Sequence, residues 1–156
     1  MPATKIREFL DRANIPYTTI LHPPAFTAQK TAAVAHVPGR EVAKTVVVKV
    51  DDQLALAVLP ADLNLDLEHL RSILGADSVE LASEWEFKDR FPDCEAGAMP
   101  PFGNLYDMPV YVADALAEDE FIAFNAGNHR EMIRMRYADF ARLVKPRVLD
   151  ITWHRV

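Results

Sequence analysis

Cysteine occurs once in the 156 residues, as Cys94, so the chain cannot close an internal disulfide. No apolar run approaches the ~18 residues of a membrane-spanning helix. The opening Met1-Pro2-Ala3-Thr4-Lys5 lacks the apolar core of a secretory signal. These absences fit a reducing cytosol and predict a cytoplasmic protein with no membrane partner. Glycine is scarce, with five residues, and none stands in GxxxxGK[ST] or GxGxxG, so no phosphate-binding loop can be read. GxSxG is missing as well, which removes the usual acyl-enzyme serine. His22, His36, His69, His129, His154 and Cys94 show no CxxC, HxxxH or HExxH spacing, and no metal site or cofactor is expected. Cys94 has acidic neighbours that would raise its pKa, so it is a poor nucleophile.

Excess positive charge is missing too. The net charge is −6, which argues against a general nucleic-acid binder and against DNA as a partner. The charge is uneven, however. Residues 1–128 hold 10 Lys/Arg against 20 Asp/Glu, whereas residues 129–156 hold 7 against 3. Arg134, Arg136 and Arg142 belong to that basic end, which reads either as a phosphate-facing surface or as ordinary solvated arginines.

What is present is a normal globular mix, 50% apolar and 26% charged, of a size that suits one domain spanning 1–156. Ile6, Phe9, Leu10 and Ala13 form one stripe of a helix over 4–13, ended by Asn14 and Pro16. Residues 17–21 read as a strand. Thr27 caps a helix over 28–36, and Pro38-Gly39 stops it. The valine-rich strand 42–50 turns at Asp51-Asp52 into 53–59 as a hairpin. A helix with Leu67, Leu70, Ile73 and Leu74 ends at Gly75. A short strand covers 78–81, and Ser83-Glu84-Trp85-Glu86 is a capping box opening a helix that carries Phe87 and Phe91. Residues 93–108 have no period. They keep Met99, Phe102, Leu105 and Tyr106, so they read as an ordered loop packed on the body. Strands at 109–113, 120–124 and 131–135, a turn or short helix at 114–119, a helix at 137–144 and a final short strand complete an α/β pattern around a mixed sheet.

Three stretches carry candidate chemistry. Lys44 shares a strand face with Val42, Val46, Val48 and Val50. A lysine there either snorkels to water or holds an ammonium for an anion or a reacting carbonyl. Gly97-Ala98-Met99-Pro100-Pro101-Phe102-Gly103 is either a rigid turn or a binding loop. Asn125-Ala126-Gly127-Asn128-His129 is a turn in which Gly127 is expected to supply a positive φ, and its histidine is either a surface residue or a catalyst.

In order, Lys-Thr-Val on an apolar strand, Gly-x-x-x-Pro with a following Gly, and Asn-Ala-Gly-x-His leading into Ile-Arg-Met resemble the YbaK / prolyl-tRNA synthetase editing-domain family. The resemblance runs from the first helix to about Val144. It implies an α/β domain with a mixed, curved sheet and flanking helices. It also implies hydrolysis of mischarged aminoacyl-tRNA, mostly tRNA for proline carrying alanine or cysteine, by a free-standing member acting in trans. A synthetase is a further partner it suggests. By this resemblance Lys44, Gly97 and His129 are the catalytic candidates. Thr31, Thr45, Pro101, Phe102, Gly103, Asn125 and Gly127 are the substrate-binding ones. The face that docks tRNA is expected, from the charge of the C-terminal end, to use Arg134, Arg136 and Arg142. Thr45 after the lysine is closer to the cysteine-editing branch, while His129 leans toward the alanine-editing one. Two other classes stay open: a binding module for the tRNA end or an amino acid, docked on a synthetase or not, and a lysine enzyme forming a Schiff base.

Overall fold

The computed structural model describes residues 4–153. His154, named above among the histidines, and Arg155, one of the seven basic residues of 129–156, lie outside the described residues.

Local signals explain most of the elements. Helix α1 (Thr4–Arg12) buries Ile6 and Leu10, and Asn14 leaves it with φ 57°. Strand β1 (Thr18–Leu21) follows, and then α2 (Ala28–Ala35), capped by the Thr27 side chain on the Lys30 amide. Helix α2 ends at His36 in the left-handed region (φ 58°), two residues before the expected Pro38 stop. Strands β2 (Ala43–Val50) and β3 (Gln53–Pro60) form the expected hairpin. Asp51 and Asp52, at φ 47° and 68°, make its two-residue turn, a conformation aspartate tolerates. Helix α3 (Leu67–Leu74) starts at Asp66 and ends at Gly75, and β4 (Val79–Leu81) pairs back onto β2. The capping box at Ser83 and Glu86 is present, but α4 (Glu84–Phe87) is one turn long and tightens into a 3-10 turn over Lys88–Arg90. The helix expected to reach Phe91 is therefore shorter. Strand β5 (Val110–Ala113), helix α5 (Asp114–Ala117), strands β6 (Phe121–Asn125) and β7 (Glu131–Arg136), helix α6 (Tyr137–Val144) and strand β8 (Arg147–Leu149) follow.

The mixed sheet is divided in two. Among the described residues, one sheet has the order β4-β2-β3-β5-β8, antiparallel up to β3 and parallel from β3 to β8. The other is antiparallel, β1-β7-β6. The two meet where Val42 bridges to Ala123, with the Ala123 amide donating to Glu41 O at 2.9 Å.

The largest core cluster lies between them. The unperiodic loop enters it with Met99, Phe102, Tyr106 and Met108. Phe102 is fully buried. Its ring lies 5.9 Å from that of Phe9, 5.4 Å from Phe124 and 5.3 Å from Phe140, so one loop residue ties α1, β6 and α6 together. A second cluster, with Val48, Leu59, Leu70 and Ile151, lies under α3. A third, with Ala32, Val42, Ala123 and Met132, seats α2 on the β1-β7-β6 sheet. No helix among the described residues is long and apolar enough to cross a membrane.

Candidate active site

β2 is covered on one side by β3 along its whole length, but on the other β4 pairs only with Val48–Val50. The first half of β2 is thus an open edge, and alternate backbone N–H and C=O groups there lack a ladder partner. A cleft of about 150 Å³ sits at this edge. Lys44, Thr45, Gly97 and Asn125 all line it, so four of the candidate residues, from three separate stretches, come together. Phe26, Thr27, Val42 and Met99 complete much of the wall. Phe26 is 74% exposed at the mouth, and nothing in its local sequence pattern singled it out.

Lys44 is half-buried. Burial lowers its pKa below the ordinary lysine value, and the Asp62 carboxylate opposes that shift. The strand alternation holds: Val46, Val48 and Val50 pack with the second cluster, while Ala43 and Val47 face the first. Thr45 Oγ1 and Asn125 Oδ1 are buried and have no hydrogen-bond partner within the protein.

His129 lies behind the loop. A Cβ built on Gly97 would stand 3.6 Å from its Cε1. Its Nδ1 is 3.1 Å from Ala25 O and its Nε2 2.7 Å from Ala96 O, and its ring packs tilted against Phe26 with centroids 4.7 Å apart. Both ring nitrogens thus face backbone carbonyls, and the imidazole joins the 22–26 segment to the 93–98 loop. Its amide donates to Glu95 Oε1 at 2.9 Å. Gly127, at φ 106°, donates its N–H to Ala98 O at 2.9 Å and accepts from the Glu95 amide at 2.8 Å, stitching the turn to the same loop.

The other candidates sit elsewhere. Thr31 is buried one turn below the lining, its hydroxyl donating to Thr27 O at 2.9 Å. Gly97 and Met99 reach the cleft, whereas Pro101, Phe102 and Gly103 are buried away from it and pack beneath the loop. Arg134 and Arg136 alternate along β7 and so share one of its faces. Arg142 lies on α6, paired with Asp139 at 3.1 Å, and α6 packs its Phe140 into the core. The Cys94 thiol is pushed up to about 11, by burial first and also by Asp93, which leaves it a weak nucleophile. No group of three or more His, Cys, Asp or Glu that could hold a metal ion exists among the described residues.

Comparison with known proteins identifies the family and the fold. Residues 22–143 match the model of the aminoacyl-tRNA editing domain. The chain is 35% identical over 130 residues to the multifunctional Ser/Thr-tRNA deacylase ProXp-y of Escherichia coli K12, covering 78% of this chain and 77% of that one. It is 24% identical over 139 residues to a proline--tRNA ligase of Bacillus cereus, covering 83% of this chain but only 24% of the ligase. In fold it is similar to a candidate trans-editing enzyme for prolyl tRNA synthetase, with a TM-score of 0.83 at 18% identity over 98% of each chain. The matched span contains β2, the Gly97 loop and the His129 turn, and so the chain belongs to the aminoacyl-tRNA editing domain family, whose activity is hydrolytic.

Proposed function

We propose that the protein hydrolyses, in trans, the ester joining a small, wrongly attached amino acid to the terminal ribose of a tRNA. The observation that carries this reading is the half-buried Lys44 ammonium, held beside Gly97 and Asn125 in a cleft on an open strand edge. Water adds to the ester carbonyl carbon, and negative charge gathers on the carbonyl oxygen. The carbon–oxygen bond to ribose then breaks and the ribose oxygen takes a proton, leaving free amino acid and tRNA. Fixed positive charge and preorganised N–H groups stabilise that developing charge. Lys44 supplies the charge, to the oxyanion or the terminal phosphate. Backbone N–H groups of the β2 edge and of the Gly97 loop supply donors. Gly97, at φ 79°, is where the backbone turns toward the substrate. His129 acts by holding the loop against the 22–26 segment, since its ring lies between the Ala25 and Ala96 carbonyls within hydrogen-bond distance of both.

At about 150 Å³ the cleft suits a small side chain. The two lining residues with unpartnered buried oxygens, Thr45 and Asn125, favour an amino acid that brings a hydroxyl. That moves the expected substrate from alanine or cysteine to serine or threonine, in line with the name of the Escherichia coli relative. Proline tRNA and association with a synthetase are the accompanying expectations for carrier and partner.

A deacylation panel tests this: tRNA charged with Ala, Cys, Ser or Thr, each on its own tRNA and on proline tRNA. Ser- and Thr-tRNA should turn over fastest. Thr45→Val should cut the preference for Ser over Ala by about 10-fold, the effect of one lost hydrogen bond of ~1.4 kcal/mol. If no member of the panel is hydrolysed above the uncatalysed rate, the reading fails.

A further inference from the structure

The outer face of the β1-β7-β6 sheet carries a second concavity, of about 280 Å³, lined by Tyr17, Phe121, Arg134 and Arg136 among others. The Arg134 guanidinium lies 4.1 Å from the centre of the Phe121 ring and that of Arg136 5.1 Å. Strand register explains the cluster. Phe121 stands opposite Arg136, and Arg134 opposite Ala123, so Phe121 and Arg134 are diagonal neighbours on one face. Both guanidiniums thus sit over the one ring at cation–π distance. Each also touches one carboxylate, Arg134 with Glu41 at 3.6 Å and Arg136 with Glu120 at 3.2 Å. Each guanidinium has five N–H donors, so one such pairing leaves most of them for a further anion. Arginine with its planar fork is the side chain best matched to phosphate oxygens.

The groove and the cleft share a sheet face. Phe121, Ala123 and Asn125 alternate along β6, with Phe121 in the groove and Asn125 in the cleft. Four residues of strand separate them by about 13 Å. Between the two, α2 covers Ala123 and Met132.

We infer that this groove holds the phosphate backbone of the tRNA strand leading to the cleft, with Arg134 and Arg136 on the phosphates and Phe121 as their apolar floor. The inference rests on the hydrolase reading for the identity of the nucleic acid. Its test does not depend on turnover. Binding of uncharged tRNA by fluorescence anisotropy, from about 50 to about 200 mM NaCl, is compared for wild type, Arg134→Gln/Arg136→Gln and Arg142→Gln. The double variant should bind about 10-fold more weakly at the low-salt end, with a salt slope shallower by ~0.7–0.9 for each phosphate that is no longer neutralised. Arg136→Gln alone, at an exposed site, should give part of the effect should the double variant not fold. Equal affinities and slopes for wild type and the Arg134/Arg136 variants overturn the inference. So does an equal loss from Arg142→Gln, which would move docking to α6. Hydrolysis of seryl-adenosine, which has no tRNA body, reports separately on the hydrolase reading.

Discussion

Lys44→Ala is expected to lower deacylation by about 10²–10³-fold or more, the scale seen when one preorganised group at a developing oxyanion is removed. Lys44→Arg should not restore it, because a planar fork on a longer stem cannot reproduce a compact ammonium in a cleft of about 150 Å³. The fold should persist. A half-buried lysine whose pKa is lowered by burial contributes nothing favourable to folding at neutral pH, because its ammonium is less well stabilised in the folded state than in the unfolded chain. The native state therefore releases this proton at lower pH than the unfolded chain does. Stability rises as pH climbs from the native pKa to the unfolded value of about 10.4. Activity runs the other way, falling through that window as the ammonium is lost. Melting curves and pH–rate profiles on wild type and Lys44→Met check both signs. A variant retaining near wild-type turnover would remove Lys44 from the mechanism. Borohydride in the presence of substrate should leave wild-type Lys44 unmodified, since ester hydrolysis needs no Schiff base.

Gly103→Ala should produce the largest loss of stability of any single methyl addition in the loop. A Cβ there would lie 2.3 Å from Met108 O and 2.6 Å from Val110 Cγ2. The carbonyl cannot yield, because Met108 N donates back to Gly103 O at 2.9 Å and the two backbones are locked together. Overpacking of this kind costs about 3 kcal/mol, which for a chain of this size lowers the melting temperature by ~6–12 °C. Gly97→Ala is the informative contrast. Its Cβ would meet only the His129 ring, with Cε1 nearest at 3.6 Å, so the cost is the left-handed backbone at φ 79°, about 1–2 kcal/mol. Gly97→Ala should therefore depress turnover more than stability, and Gly103→Ala the reverse. Equal melting temperatures for Gly103→Ala and wild type would contradict the packing described for the loop.

These two glycines show where sequence reasoning stops. Both stand in one Gly- and Pro-punctuated stretch, and nothing local distinguishes a residue that faces the cleft from one pressed against a neighbouring backbone. The difference comes from Met108 and Val110, which reach Gly103 only once the loop has folded under the sheet. Phe102 is similar: as an aromatic in a loop it could have been a binding residue, but Phe9, Phe124 and Phe140 from three distant elements enclose it. His129 stands out in the sequence as a candidate, but its two carbonyl partners, Ala25 and Ala96, are 104 and 33 residues away.

By itself the sequence determined the elements whose causes lie within a few residues: the Thr27 and Ser83 caps, the paired aspartates of the hairpin, the stripe of α1, and the alternation that sets Lys44 against the valines. It also carried the ordered set of Lys44, Gly97 and His129, since a family pattern is itself a sequence property. Tertiary structure alone decided that β4 stops short along β2 and leaves the edge open beside Lys44, that the sheet divides at the Val42–Ala123 bridge, and that Arg134 and Arg136 converge on Phe121. Caps and periods act through neighbouring backbone groups. Edges, clefts and cross-strand clusters depend on which distant segments win the pairing, and that competition is settled by burial over the whole chain.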